Sequence, residues 1–172
     1  MPRDVIDEML SEVKAELPDL DTQGLAVGAR ILVLSKMLEK RLDDWLKPYG
    51  IQLWGFDVLS SLRRSGAPFS QTPTELMRTC FLTSGAVTNR VNRLERLGLV
   101  ARQSDAEDRR SIKVVLTESG REVIEHAFQY RIEGVGELFS VLARDEQSKL
   151  AELLRRLLLS LAQPESAENF RE

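Results

Sequence analysis

Apolar residues recur at intervals of three and four along most of this chain, and at intervals of two in only one stretch. Asp4 to about Glu16 reads as a short acidic helix stopped near Pro18. Leu25, Ile31, Leu34, Leu38, Leu42, Trp45 and Leu46 mark a long helix, which Pro48-Tyr49-Gly50 ends. A compact apolar helix follows from Leu53 to Arg64, with Phe56, Leu59 and Leu62 inward and Gly66 as its stop signal. Trp45, Trp54 and Phe56 fall at helical spacing and are expected in the core. Thr72-Pro73-Thr74-Glu75 is a start signal: Thr72 can cap, Pro73 suits the first helical position, and Glu75 completes a capping box. That helix reaches only about Thr79 before the turn from Phe81 to Ser84 opens another, whose apolar edge is Val87, Val91, Leu94 and Leu97. Two short helices in tandem, the second with a polar outer edge, predict a helix-turn-helix.

The stretch with period two lies immediately downstream. Leu99 to Gln103 and Ser111 to Leu116 read as strands, Ile112, Val114 and Leu116 alternating with Lys113 and Val115. The connection from Ser104 to Arg110 is polar and charged, so the pair forms a hairpin beside the helix-turn-helix, which is a winged helix. After Thr117, a candidate cap, a helix is expected to about Ala143, loosened by Gly134 and Gly136. Asp145 is expected to cap the last helix, where Leu150, Leu153, Leu154, Leu157, Leu158 and Leu161 form a broad stripe before Pro164. The expected fold is therefore mostly α with a small β-hairpin wing: a winged helix-turn-helix with helical dimerisation ends. Its parts are N-terminal dimerisation helices over 1–47, a DNA-binding winged helix over 51–117, C-terminal dimerisation helices over 118–163, and a frayed tail over 164–172. A dimer would cover the leucines that one small wing domain leaves over, although the leucines alone do not separate this from packing within one subunit.

At 172 residues, 42% apolar and 30% charged, the chain has the make-up of one soluble globular domain. No run of about 18 apolar residues occurs and the N-terminus is acidic, which points to neither a membrane span nor a secretory signal and implies a cytoplasmic protein. A single cysteine and a single histidine argue against disulfides, metal sites and cofactors. No glycine-rich phosphate loop, nucleophile elbow or acid pair is present, so an enzyme is not expected. The net charge of −3 conceals an asymmetry: Ser70 to Leu116 carries +3 and the remainder −6. A basic middle between acidic ends suits an electrostatic footprint on one face, and also suits an uneven solvated surface.

The second helix of the tandem supplies the candidate chemistry. Ser84, Gly85, Thr88, Asn89 and Arg93 project away from the Val87, Val91 and Leu94 edge, so they can reach base edges or phosphates. Gly85 allows close backbone approach, and a helix N-terminus favours phosphate. In the hairpin tip, Asp108 can orient the adjacent arginines, with Arg110 suited to a narrow minor groove and Arg109 to a phosphate. A salt bridge at the hairpin tip is the alternative use of those residues. Cys80, between the two helices, reads either as a redox switch or as an inert small apolar residue. His126 has no candidate ligand partner and reads as surface or interface packing.

Ser84-Gly-Ala-Val-Thr-Asn-Arg-Val-Asn-Arg-Leu-Glu-Arg-Leu-Gly-Leu-Val100, the Asp-Arg-Arg run at 108–110 and Leu116-Thr-Glu-Ser-Gly120 resemble the MarR family of bacterial transcription regulators. The similarity runs from about Leu25 to Leu161. It implies a homodimer with interlocked terminal helices, two winged helices on a pseudo-palindromic double-stranded DNA operator, and a ligand-responsive repressor. The segment Gly50-Ile-Gln-Leu-Trp-Gly-Phe-Asp-Val-Leu59, with the extra N-terminal helix, is similar to the urate-responsive branch. By that resemblance Asp57, Arg90 and Arg102 match three ligand-reading positions, while Val13 or Lys14 stands where that branch has a tryptophan. The implied effector is a small anionic or aromatic molecule; an Asp57 pair with Arg90 or Arg102 serving only as a strut accounts for the residues equally well. The competing functional class is a winged helix used as a protein-interaction module without sequence-specific DNA binding.

Overall fold

The computed structural model describes residues 2–104 and 111–162. Among these the order is α1 (Val5–Glu16), α2 (Gln23–Leu46), a single 3-10 turn (Lys47–Tyr49), α3 (Leu53–Arg64), β1 (Ser70–Gln71), α4 (Pro73–Cys80) and α5 (Ser84–Arg96). There follow β2 (Val100–Ser104), β3 (Ile112–Leu116), α6 (Glu118–Leu138) and α7 (Arg144–Leu161). The chain divides into two compact units, Met1–Gln129 and Tyr130–Glu172, with α6 contributing to both.

In the first unit, the inward edges of α3, α4 and α5 close on the sheet and on the first half of α6. Val58, Leu59 and Leu62 of α3, Leu76 of α4, Val87, Val91 and Leu94 of α5, Val114 of β3 and Ile124 of α6 are essentially inaccessible to solvent. These are the positions that the three-and-four spacing nominated. The strands lie in the order β1-β3-β2, all antiparallel, with Val100 opposite Leu116 and Ser104 opposite Ile112. β1 adds Ser70 opposite Val115 and Gln71 opposite Val114. This third strand was not foreseen; two residues are too few to show a period, and the neighbouring backbone makes the pairing, Leu116 donating to the Phe69 carbonyl at 3.1 Å.

α6 crosses the base of the hairpin at a glycine. A Cβ on Gly120 would lie 1.9 Å from the Leu99 carbonyl oxygen, so no other residue fits there without moving backbone. Thr117 is the expected cap: its hydroxyl accepts from Gly120 N–H at 3.0 Å and donates to the Gly98 carbonyl at 2.7 Å. α1 is tied to α2 by Arg30, which reaches Asp4 at 2.9 Å and Asp7 at 2.7 Å while Ile6 is buried. The Asp7 backbone N–H, with help from the Arg30 guanidinium, holds the Asp4 carboxyl below its usual range.

In the second unit, α6 stops at Leu138 instead of running to Ala143. Gln147 of α7 donates to the carbonyls of Phe139 and Leu142 at 2.9 and 3.0 Å, so a side chain closes the turn that the helix would have filled. α7 starts one turn position earlier than Asp145 suggested: Ala143 is the cap residue and donates its N–H to Glu146 at 2.8 Å. None of α7 is buried; Leu153, Leu157 and Leu158 are open to solvent. α2 buries only Leu46 and exposes Leu25, Ile31, Leu32, Leu34 and Met37. Among the described residues no helix is long and apolar enough to cross a membrane.

Candidate nucleic-acid interface

The helix-turn-helix forms because local signals at both ends of its turn agree. Thr72 and Glu75 make the capping box in full: the Glu75 N–H donates to the Thr72 hydroxyl at 3.2 Å, and the Thr72 N–H donates to the Glu75 carboxylate at 2.8 Å. That second bond, aided by the Thr72 hydroxyl, holds the Glu75 carboxyl below the usual glutamate range. Phe81 ends α4 in the left-handed region at φ 54°, with 94% of its surface exposed, and Leu82 N–H returns to Met77 at 2.9 Å. Thr83 then caps α5 through Ala86 N–H at 3.4 Å.

α5 divides into two faces as expected. Val87, Val91 and Leu94 are buried, while Ser84, Gly85, Thr88, Asn89 and Arg93 are exposed along with Asn92 and Arg96. Leu97 departs from its assignment: it follows the helix as its C-cap and is 51% exposed. A Cβ on Gly85 meets no protein atom within 4 Å, so any close approach there is reserved for something outside the chain. Asp108, Arg109 and Arg110 lie outside the described residues, in the connection between β2 and β3.

The three residues matched to a ligand site separate. Arg90 lies 3.8 Å from Asp57 and donates to the Trp54 carbonyl at 3.4 Å, joining α5 to α3. Arg102 pairs instead with Glu95 and donates to Asn92 at 2.6 Å, while its backbone N–H donates to Glu95 at 3.2 Å. β2 is thereby tied to the outer side of α5. Sequence reasoning missed Glu95 and Asn92 as partners of Arg102, because their proximity depends on how the strand leaves the helix. It also placed Trp54 in the core. Phe56 is buried there, whereas Trp45 and Trp54 are half-buried, and the Arg93 guanidinium sits 4.6 Å from the Trp54 ring centre.

Cys80 is half-buried and its thiol donates to the Asp57 carbonyl at 3.6 Å. His126 is exposed. Among the described residues no three histidine, cysteine or acidic groups gather as a metal site.

The multiple antibiotic resistance protein MarR of Salmonella typhimurium is 30% identical over 141 residues, covering 81% of this chain and 96% of that protein. The chain belongs to the MarR family. The family model itself matches residues 49–111, which span α3, the helix-turn-helix and the wing. The regulator PecS of Dickeya dadantii is 28% identical over 152 residues, covering 88% of this chain and 92% of PecS. Among solved MarR-family structures, a mutant MarR from E. coli complexed with operator DNA superposes with a TM-score of 0.72 at 30% identity, over 81% of this chain and 99% of that one. A MarR family transcriptional regulator from Streptomyces coelicolor in complex with DNA gives 0.76 at 25% identity, over 86% and 92%. The winged helix-turn-helix expected from the pattern of the chain is thus the fold of the family.

Proposed function

We propose that this protein is a DNA-binding transcriptional regulator, acting as a homodimer on a pseudo-palindromic operator and repressing by blocking access to it. The observation that carries the reading is the two-sided character of α5: one edge is fully buried, and the other exposes Ser84, Gly85, Thr88, Asn89 and Arg93 from a well-capped N-terminus. Such a helix suits the major groove, its first turns toward base edges. The hairpin beside it carries Arg109 and Arg110 in its connection, with Arg110 assigned to the minor groove, Arg109 to a phosphate and Asp108 to orienting them. The relatives crystallised with DNA support this assignment.

Dimerisation is assigned to 1–47 and 118–163, where α2 and α7 each leave apolar side chains uncovered. Two copies of α5 would then meet successive major grooves about 34 to 36 Å apart. For the effector, the Asp57 and Arg90 pair is the candidate site: an anionic or aromatic molecule competing for Arg90 would loosen α5 from α3. A coupling of about 1 to 3 kcal/mol is enough for regulation. Arg102, matched to the same site by resemblance, already has two partners on α5 and is assigned to holding the wing.

The test is binding of the full chain to the duplex upstream of its own gene, followed by footprinting. Protection of two half-sites with one dimer per duplex is expected. Retention of protein partners without salt-dependent duplex binding would favour the interaction-module reading instead.

A further inference from the structure

The first turn of α3 lies beside the outer half of α5, and one residue there has no role in the core. Trp54 is half-buried, and its indole N–H donates to Gln52 Oε1 at 2.8 Å, which fixes the plane of the ring. The Arg93 guanidinium lies over that ring at 4.6 Å, and Arg90 grips the Trp54 carbonyl at 3.4 Å from the neighbouring turn of α5. Both arginines of α5 thus bear on one tryptophan, Arg90 through the backbone and Arg93 through the ring.

Stacking occupies the face of a guanidinium and leaves its in-plane N–H groups available. Among the described residues, those groups of Arg93 meet no acceptor, and the side chain is exposed. Arg93 lies on the third turn of α5, behind the residues best placed for base edges, so a backbone phosphate is its natural acceptor.

We propose that Trp54 is a positioning residue for DNA binding: its indole holds Arg93 stacked and extended, so that the guanidinium edge meets an operator phosphate. An arginine already held this way loses less rotamer freedom on contact than a free one. The inference rests on the DNA-binding reading above and adds a residue outside the recognition helix to the interface.

The experiment measures operator affinity by fluorescence anisotropy across salt concentrations, for the full-length protein and the variants Arg93→Ala, Trp54→Leu, Trp54→Phe and the double variant Trp54→Leu/Arg93→Ala. Arg93→Ala should weaken binding roughly fivefold to tenfold and flatten the log-log salt slope by about 0.9, the signature of one lost phosphate contact. Trp54→Leu should weaken binding about threefold to fivefold, Trp54→Phe by less than twofold, and Trp54→Leu should cost nothing further once Arg93 is gone. Effects that multiply in the double variant would overturn the proposal, because a tryptophan serving only the fold acts whether or not Arg93 is present. A second readout does not depend on those variants folding alike. With Trp45→Phe the chain keeps only Trp54, and Arg93→Ala in that background should raise acrylamide quenching of the free protein about twofold. Unchanged quenching would also overturn it. Multiplying effects alongside tight wild-type binding would retire Trp54 and leave the regulator; absence of wild-type binding would retire both.

Discussion

Two glycines of this protein should respond in opposite ways to the same added methyl group. Gly120 sits in the first turn of α6 against the end of α5 and the start of β2, where its Cβ would lie 1.9 Å from the Leu99 carbonyl oxygen and 2.8 Å from the carbonyl carbon. Both are backbone atoms, so no side chain can swing aside; the helix must move off the hairpin base by more than about 1 Å to reach ordinary contact. Overpacking of that kind costs roughly 1 to 3 kcal/mol, and it strains the Thr117 bonds to Gly120 and Gly98 as well. Alanine's better helix propensity returns at most about 1 kcal/mol. A net loss of about 2 kcal/mol for Gly120→Ala should lower Tm by roughly 4 to 8 °C in a chain of this size. Gly85→Ala is the control, because its Cβ meets open space on an exposed first turn. It should leave Tm unchanged or slightly raised, while weakening operator binding at least tenfold if backbone approaches backbone there. Thermal unfolding followed by circular dichroism and duplex binding by anisotropy separate the two cases. A Gly120→Ala protein with an unaltered Tm would refute the packing argument, and a Gly85→Ala protein that binds normally would refute the close approach.

Other expectations follow from single residues. Phe81→Gly removes an exposed side chain held at φ 54° and should raise Tm by a few degrees, since a left-handed non-glycine residue costs about 1 kcal/mol; a fall in Tm would show that the ring packs on something. Glu75 has a lowered carboxyl pKa in the folded chain, so its contribution to the α4 cap is complete above its unfolded value near 4.5 and fades as pH falls through the lower folded value. The stability gap between wild type and Glu75→Gln should therefore narrow in that acid window, and a gap constant from pH 7 to pH 3 would contradict the assignment. Arg110→Ala should lower operator affinity and flatten its salt dependence; an unchanged gel shift would remove Arg110 from the minor groove.

The parts of the fold readable in the chain are those set by contacts between near neighbours. The Thr72 to Glu75 box, the inward edge of α5 and the alternation of β3 each depend on residues a few positions apart, and each is found where expected. The misplacements come from distant partners. Gln147 closes the turn after α6 from the next helix, β1 exists only because β3 runs past it, and Leu97 escapes the core because α5 ends one residue before it. Trp54 was misplaced for a related reason. Its spacing fits the buried edge of α3, and only the approach of α5 reveals a cation on its ring. At the candidate interface, the outer residues of α5 were legible from helical geometry, whereas Arg102 was matched to a ligand site by resemblance and holds Glu95 and Asn92.

The central claim is most directly tested by titrating the purified chain into the duplex upstream of its gene at several salt concentrations and fitting both stoichiometry and slope. Two chains per duplex, each giving phosphate contacts from Arg93, Arg109 and Arg110, should produce a log-log slope of about −5. A flat salt dependence, or no binding at low ionic strength, would contradict it.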